Sequence, residues 1–384
     1  MTISQQPETS GPTPTVTDAE NNVELKEVEG LSQGQIVRRR FFRHKGAVIS
    51  MVLLTFVVLL AFSSVGLVLG DWRVPGWWQW TWSQLTPVQN RTAPTLSLVP
   101  QFLGGTGISI GDHPFGQDEV GRDTFAVVMR GAQQSLMVMV IVGLVATTIG
   151  TVLGAVAGYY RGLTDSILMR FTDIIITIPV IVIGAVLGRA FGSLGAGVLG
   201  IVIGLFAWTG LARLVRGEFL SLREREFVDA ARVAGATDAR IIFRHILPNA
   251  VGVIIVNTTL LMAAAILLET ALSYLGFGVQ APDTSLGKII SDNQAAFSTR
   301  PWLFWWPGLF IVIIALCINF IGDGLRDAFD PRQKRLPNAR SLAKTAGLDR
   351  AAIEVTTRGM RGDGHGDAGV PQPDKPDTPP TRDR

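Results

Sequence analysis

Apolar residues are gathered into long runs that contain no Asp, Glu, Lys or Arg. A helix needs about 20 such residues to cross a hydrocarbon core roughly 30 Å thick. The runs that reach this length are 47–70, 131–160, 190–212, 245–268 and 301–322. A further run, 174–188, is shorter and lies between Asp173 and Arg189. The pattern therefore predicts an all-α, polytopic membrane protein.

The arginines decide how many times the chain crosses the membrane. If 174–212 were one span, the basic loop 213–244 would lie on the side opposite to the basic cluster 38–45. Basic residues concentrate on the cytoplasmic side of membrane proteins. We therefore interpret 189–195 as a tight outer turn, which keeps both clusters inside and predicts six transmembrane helices. Their predicted limits are 47–70, 134–158, 171–189, 195–213, 249–269 and 303–322, with an external segment at 71–130 and a cytoplasmic loop at 214–248.

The two ends of the chain carry no apolar periodicity. Residues 1–35 and 333–384 are rich in polar residues and proline, and we predict disordered tails on either side of a transmembrane domain at 36–332. Both termini are expected on the cytoplasmic side of a bacterial-type inner membrane. The tryptophans near the start of the external segment indicate an amphipathic stretch at the membrane interface.

Composition supports this class of protein and argues against several kinds of functional site. Hydrophobic residues make up 47% of the 384 and charged residues 17%, with a mean hydropathy of +0.34. The net charge of +3 comes from arginines beside the spans, so the expected partner is membrane lipid and not nucleic acid. One cysteine, four scattered histidines and the lack of a G-x-x-x-x-G-K-[ST] loop predict no metal, cofactor, catalytic residue or nucleotide site in this chain.

Few ionisable residues fall in the predicted spans. A charged group at the centre of a membrane helix costs roughly 2.5 to 3.5 kcal/mol and is kept for a function. Asp173, Glu269 and Asp323 lie near predicted span ends, which favours solvation at the interface. No group for ion coupling is evident in mid-membrane, which argues against a secondary transporter.

Residues 229–250, DAARVAGATDARIIFRHILPNA, form a charged stretch between two apolar runs. The pattern predicts a helix over 219–234 that stops at Gly235, where the backbone takes a left-handed conformation. Thr237 is predicted to cap a second short helix, with Asp238 placed favourably in its first turn. The stretch is thus interpreted as a helical hairpin.

The second helix is expected to lie across the cytoplasmic mouth of the bundle and to show Ile241, Ile242, Phe243 and arginines. Pro248 either closes this helix or begins the next span. Two interpretations remain open on physical grounds. The hairpin is an amphipathic helix at the interface, or it is a plug that docks into another protein and transmits movement.

Asp229-Ala-Ala, Gly235 and Leu247-Pro248 resemble the EAA loop of ABC importer permeases, with Asp229 in place of a glutamate and His245 in place of an isoleucine. Three further stretches are similar to the DppC/OppC-like permeases of dipeptide, oligopeptide and nickel importers. They are HPFGQDEVGRDTF with the following GAQQS (113–135), ALSYLGFGVQAPDTSLG (271–287), and PGLFIVIIALCINFIGDGLRDAFDPR (307–332). Gln117 departs from the threonine usual in that family. The resemblance covers roughly residues 36–332.

The resemblance implies a type I ABC importer permease with a cytoplasmic coupling hairpin. Such a permease pairs with a homologous permease subunit, sits on two cytoplasmic ATPase subunits that bind ATP and Mg, and receives its solute from an extracytoplasmic solute-binding protein. Peptides are the expected solute, with glutathione, nickel chelates and haem left open. An ion-coupled secondary transporter and a membrane-anchored scaffold are the alternatives.

The resemblance also implies which residues carry the function. The residues expected to couple the chain to the ATPases are Asp229, Ala230, Ala231, Gly235, Thr237, Asp238, Arg240, Ile241, Phe243, Arg244, His245, Leu247 and Pro248. The other residues that match the family pattern are His113, Gly116, Asp118, Gly121, Arg122, Asp123, Gly276, Gly278, Gly322, Asp323, Arg326, Asp330 and Pro331.

Overall fold

A computed structural model describes residues 33–69, 72–97 and 109–329 as a bundle of α-helices. The helices are α1 (Gln33–Arg43), α2 (Lys45–Ser64), α3 (Thr124–Tyr160), α4 (Gly162–Ile176), α5 (Val180–Phe191), α6 (Ala196–Ala207), α7 (Thr209–Arg223), α8 (Glu226–Val233), α9 (Asp238–Tyr274), α10 (Leu286–Asp292) and α11 (Trp302–Phe329). Two short antiparallel strands, β1 (Leu67–Leu69) and β2 (Trp72–Val74), follow α2. The helical class predicted from the apolar runs is confirmed.

The predicted tails fall almost entirely outside the described residues. Helix α1 begins at Gln33, so the last three residues of the predicted N-terminal tail are helical. The rest of the tail 1–35 and the whole of the tail 333–384 lie outside the described ranges.

Four helices, α2, α3, α9 and α11, are long and apolar enough to cross a membrane. The predicted spans 171–189 and 195–213 differ from these because each is broken. Helix α4 is bent by 75° against Val180–Leu194, and α6 by 47° against α7. The described chain has six candidate spans if each bent pair crosses once, and the number of crossings stays a prediction.

Each bend has a local cause. Pro179 precedes α5, has no N–H, and disfavours the helical conformation at the residue before it, so α4 ends before it. At the second bend the indole Nε1 of Trp208 donates to the carbonyl of Leu205 at 2.9 Å. In an unbroken helix the N–H of Thr209 would donate to that carbonyl. The two bends therefore follow from one proline and one indole.

Helix α3 is buried along most of its length and packs closely on α7. Gly150, Gly154 and Gly158 make this contact possible. A Cβ atom placed on Gly154 would lie 2.5 Å from the carbonyl oxygen of Ala212, and one on Gly158 would lie 2.7 Å from that of Arg216. Small residues at a spacing of four let two membrane helices approach to backbone contact. These glycines therefore let α3 and α7 meet at the backbone.

The bundle has two distinct ends. At one end, which we call the hairpin end, Tyr159 contacts Asp238, and Ala47 packs against Gly324. At the other, which we call the cap end, Gln133 donates to the carbonyl of Ala61. Helix α1, with its arginines, packs against the end of α11 and so lies at the hairpin end. Both basic clusters are therefore at the same end, as the charge argument requires.

Labelling of single cysteines tests the predicted orientation of these ends. In a Cys317→Ser chain, Ser193→Cys lies in an exposed turn at the cap end and Thr237→Cys is exposed at the hairpin end. A membrane-impermeant maleimide added to intact cells should label the cysteine at position 193 and should reach the one at 237 only after the membrane is opened. Labelling of position 237 in intact cells would contradict the predicted orientation.

Candidate functional site

The first helix of the hairpin is shorter than predicted. The expectation of one helix over 219–234 is wrong, because α7 ends at Arg223 and α8 starts at Glu226. Arg225 between them is extended, with φ −85° and ψ 145°. The corner is held by Arg161, which donates to Glu224 at 2.5 Å, and by Arg223, which donates to the carbonyl of Tyr159. Both contacts join the corner to the end of α3, and helix propensity alone does not reveal this break.

The turn after α8 has the predicted form. Gly235 has φ +77°, and the N–H of Ala236 donates to the carbonyl of Ala231 at 3.0 Å, which is the closing bond of a Schellman turn. No atom lies within 4 Å of the position that a Cβ of Gly235 would take. The glycine is therefore required by the backbone conformation and not by lack of space.

The second helix of the hairpin begins after Thr237 as predicted, but it does not end as a short helix. The hydroxyl of Thr237 accepts the N–H of Arg240 at 3.4 Å, and the carboxylate of Asp238 accepts the hydroxyl of Tyr159 at 2.7 Å. Helix α9 then runs without interruption to Tyr274. The expectation of a separate short helix is therefore wrong.

A wide π-helical turn, Ile241–Ile246, joins the hairpin to the span. Pro248 lies in the first turn of the α-helical part that follows, as one of its two predicted roles required. Its ring cannot share space with the carbonyl four residues earlier, and the wider turn relieves that clash. The side-chain amide of Asn249 donates to the carbonyl of His245 at 2.6 Å within the same stretch.

The side chains on the hairpin surface differ from those predicted. Ile241 and Ile242 are 1% and 9% exposed, because they pack with Tyr159, Phe219 and Val228 in a core cluster. The expectation that these two isoleucines face outward is wrong. The most exposed large apolar side chains of the hairpin are Val233 and Phe243, at 90% and 69%.

The proposed coupling residues are brought together at the hairpin end in three grades of exposure. Those on the surface are Asp229, Ala230, Gly235, Thr237, Asp238, Arg240, Phe243, Arg244 and Pro248. His245 and Leu247 are half-buried, and Ala231 and Ile241 are buried. The buried pair anchors the hairpin, since both belong to the core cluster shared with α3 and α7. Contact of the exposed group with an ATPase stays a prediction.

The second group of motif residues lies at the cap end. Asp123 caps α3: its Oδ2 accepts the N–H of Ala126 at 2.9 Å and the indole N–H of Trp78 at 2.8 Å. Its Oδ1 lies 2.9 Å from Nδ1 of His113. Burial raises the pKa of the Asp123 carboxyl above its ordinary value, although the hydrogen bonds from His113, Ala126 and Trp78 oppose the change.

A tight turn connects these two residues. Asp118 accepts the backbone N–H of Arg122 at 2.8 Å and its Nε at 2.6 Å. Gly116 and Gly121 have φ +84° and +87°, and a Cβ on Gly121 would overlap the carbonyl of Thr86. The motif residues between 113 and 123 therefore form a closed turn over the start of α3.

Gln117, the departure from the family pattern, ties this turn to the segment before it. Its amide oxygen accepts the N–H of Gln89 at 2.7 Å, and its amide nitrogen donates to the hydroxyl of Thr86 at 2.8 Å. Trp80 stacks on His113 with ring centroids 5.5 Å apart. Trp78 and Trp80 are half-buried against this structure, and the interpretation of the tryptophans as an interfacial stretch stays a prediction.

The remaining motif residues do not join either group into one site. Gly276 has φ +83° at the end of α9, and Gly278 packs against Ser273. Gly322 packs against Thr259 of α9, while Asp323 and Arg326 are exposed on α11. Asp330 and Pro331 lie outside the described residues.

Sequence reasoning missed two buried polar groups. Glu269 is 0% exposed, so the expectation that interfacial water solvates it is wrong. Arg130 is buried and donates to Asp283 at 2.6 Å, with its guanidinium 4.6 Å from the ring of Trp82. Both depend on contacts between stretches that are far apart in sequence, so hydrophobic periodicity does not reveal them.

Two family descriptions match the chain. The description "binding-protein-dependent transport system inner membrane component" matches residues 150–335, and "N-terminal TM domain of oligopeptide transport permease C" matches residues 32–73. A structure of the MetNI methionine ABC transporter is 21% identical with a TM-score of 0.43, over 53% of this chain and 96% of that chain.

Curated relatives match over most of the chain. The oligopeptide transport system permease protein OppC of Haemophilus influenzae is 38% identical over 315 residues, which is 82% of this chain and 93% of that protein. The protein of that name in Escherichia coli K12 is 36% identical over 82% of this chain and 96% of its own. That of Mycobacterium tuberculosis H37Rv is 42% identical over 58% of this chain and 77% of its own.

A bundle of long apolar helices with these relatives is a multi-pass transport permease of the inner membrane. The chain belongs to the family of binding-protein-dependent transport permeases, in the oligopeptide permease C branch. The predicted class, a permease subunit of an ABC importer, is confirmed, and the secondary transporter and scaffold alternatives are not favoured. The family is a transport component and not a catalytic enzyme; the lack of a nucleotide site and of cofactors stays a prediction.

Substitution of Asp123 tests the cap. Asp123→Ala removes the acceptor for His113, Trp78 and Ala126 and should destabilise the purified protein by about 1 to 3 kcal/mol, because buried donors are left unpaired. Asp123→Asn keeps one oxygen for Trp78 and Ala126 and should lose much less. Thermal unfolding in detergent measures both, and equal losses for the two variants would contradict the assigned hydrogen bonds.

Proposed function

We propose that this chain translocates oligopeptides as one half of a pore, driven by partner ATPases through the hairpin. The observation that carries the proposal is the continuity of α9, which runs from the capped hairpin turn to the cap end as one helix of 37 residues. Such a helix is about 55 Å long at 1.5 Å per residue. A displacement at its first turn therefore reaches the far side of the membrane within one element.

The hairpin is built to move as a unit with the bundle. Ile241 and Ile246 pack in the same core cluster as Val215 of α7 and Ala155 of α3. Tyr159 of α3 donates to Asp238 in the first turn of α9. A push on the exposed hairpin surface is therefore passed to three helices at once and not absorbed by a loose loop.

The exposed surface suits a protein partner. Val233 and Phe243 are apolar and exposed, and Arg240 and Arg244 lie beside Phe243 on the same turns. Aromatic and arginine side chains are enriched at protein interfaces. We assign this surface to two cytoplasmic ATPase subunits that bind ATP and Mg.

The other partners follow from the class. A single chain exposes long apolar faces on the bent pairs, for example Ile167 and Ile174 on α4 and Val186 on α5. We assign a homologous permease subunit to complete the pore, and an extracytoplasmic solute-binding protein to deliver the peptide at the cap end. The relatives are named as oligopeptide permeases, which supports peptides over glutathione, nickel chelates and haem.

Reconstitution tests the function. Proteoliposomes that hold this chain with its partner permease and ATPases should take up a radiolabelled short peptide only with ATP on the ATPase side and the solute-binding protein on the other. The chain alone should hydrolyse no ATP. Uptake by the chain alone, driven by an ion gradient, would instead support a secondary transporter, and ATP-driven uptake of a nickel chelate or haem in preference to peptide would overturn the solute class.

Gly235→Val tests the hairpin. A β-branched residue pays the steric cost of positive φ, on the order of 1 to 2 kcal/mol, or the turn rearranges. We expect near-normal membrane insertion, because the spans keep their own packing, together with weaker retention of the ATPases and loss of uptake. Co-purification and uptake in the same vesicles measure this.

Gly217→Val is the matched control. Gly217 lies in α7 near the same end of the bundle, also has no atom within 4 Å of a built Cβ, and has no positive φ. It should keep both ATPases and uptake. Wild-type transport by Gly235→Val would mean that the hairpin is an interfacial helix with no coupling role.

A further inference from the structure

Glu269 is a carboxyl group enclosed by protein near the cap end of α9. It lies five residues before the end of that helix and is 0% exposed. Its Oε2 accepts the hydroxyl of Ser135 at 2.8 Å, and its Oε1 accepts the hydroxyl of Ser273 at 2.6 Å. The side chain of Ser285, the cap residue of α10, lies close to the same carboxyl. Among the described residues no Arg, Lys or His pairs with it.

Each serine hydroxyl is already used as an acceptor by a backbone N–H. The N–H groups are those of Leu286 to Ser135, Val279 to Ser273 and Lys288 to Ser285, each at 3.3 Å. A hydroxyl has one proton to donate, and the carboxyl is the acceptor that faces it. The hydroxyl protons of Ser135 and Ser273 therefore both go to Glu269, and both hydrogen-bond chains continue from the carboxyl into the backbone.

The three serines belong to separate parts of the fold. Ser135 lies in α3, Ser273 in the last turn of α9, and Ser285 caps α10. Glycines let these parts pack in direct contact. Side chains on Gly278 and Gly287 would overlap Ser273 and the carbonyl of Thr270. The carboxyl is thus the acceptor at a junction of α3 and α9, and α10 joins this junction through Leu286, whose N–H donates to Ser135.

Helix α5 is attached to the same junction through the turn 276–280. A side chain on Gly188 would overlap the carbonyl of Phe277, and one on Gly192 would lie 2.5 Å from that of Gly278. The N–H of Gln280 donates to the carbonyl of Gly192 at 3.4 Å. Movement of the cap end of α9 therefore carries the end of α5 with it.

We propose that Glu269 is a positioning residue: it latches the cap end of α9 to α3 and α10, so that displacement begun at the hairpin is delivered to the cap end of the pore. The proposal rests on the function proposed above and adds the residue through which coupling is completed. A structure that needed only stability at this place would be served by apolar packing, since a buried carboxyl carries a desolvation cost. The carboxyl is kept because it accepts one hydroxyl from α3 and one from the end of α9, and α10 is bound to the first of these hydroxyls through the N–H of Leu286.

The test separates coupling from folding. We expect the complex with Glu269→Gln to assemble and to hydrolyse ATP within about twofold of wild type, while peptide uptake falls by roughly tenfold or more. The amide has one acceptor oxygen where the carboxyl has two, and its NH₂ group faces a hydroxyl that also donates. Ser135→Ala removes one donor and is the milder variant, with the same direction of effect.

Opening of the junction is measured independently of transport. In a Cys317→Ser chain, Leu286→Cys is fully buried beside Ser285. An impermeant maleimide should label it slowly, and roughly tenfold faster when Glu269→Gln is added. Thr270→Val is the matched control, since the hydroxyl of Thr270 is buried next to Glu269 without a hydrogen-bond partner. It should change neither uptake nor labelling.

Two results would overturn the latch. Uptake at the wild-type rate by both Glu269→Gln and Ser135→Ala would show that the junction does not carry coupling. A parallel fall of hydrolysis, assembly and uptake in both variants would show a role in folding alone. If the wild-type complex itself takes up no peptide with ATP, the proposed function fails, and the labelling contrast still decides whether Glu269 closes the junction.

Discussion

Backbone contact between α3 and α7 is the interaction on which the rest of the bundle depends. The glycines at 150, 154 and 158 bring α3 against the carbonyl face of α7, and α3 is in turn the surface on which α2, α6 and α9 pack. Lipid gives helices no hydrophobic reason to associate, so this fit and the polar groups between helices must hold them together. A methyl group added at Gly154 would push α3 and α7 apart.

Polar side chains are gathered at both ends of α3. At one end Asp123 caps the helix and gathers His113 and Trp78 around it. At the other end the hydroxyl of Tyr159 donates to Asp238, and the guanidinium of Arg223 lies 5.5 Å from the centre of the Tyr159 ring. The same helix therefore organises the cap and the hairpin. Two sets of motif residues far apart in sequence depend on it.

Features set by neighbouring residues were predictable from the sequence. The apolar runs located the membrane helices. Gly235 predicted a left-handed turn and Thr237 predicted a helix cap, because each of these two features depends on only a few neighbouring residues. Features set by distant contacts were not. The buried faces of Ile241 and Ile242, the break at Arg225 and the enclosure of Glu269 each depend on side chains from another helix.

The bend between α4 and α5 has a mechanical meaning. Asp165 and Asp173 of α4 are paired with Arg216 and Arg213 of α7, so α4 is bound to the hairpin side of the bundle. Helix α5 has no such pair in the described chain and is seated on the turn that follows α9. The two halves of one bent element thus rest on different helices of the bundle. Any change of the angle between α4 and α5 is concentrated in the three residues 177–179, where Pro179 has already removed a helical hydrogen bond that would resist it.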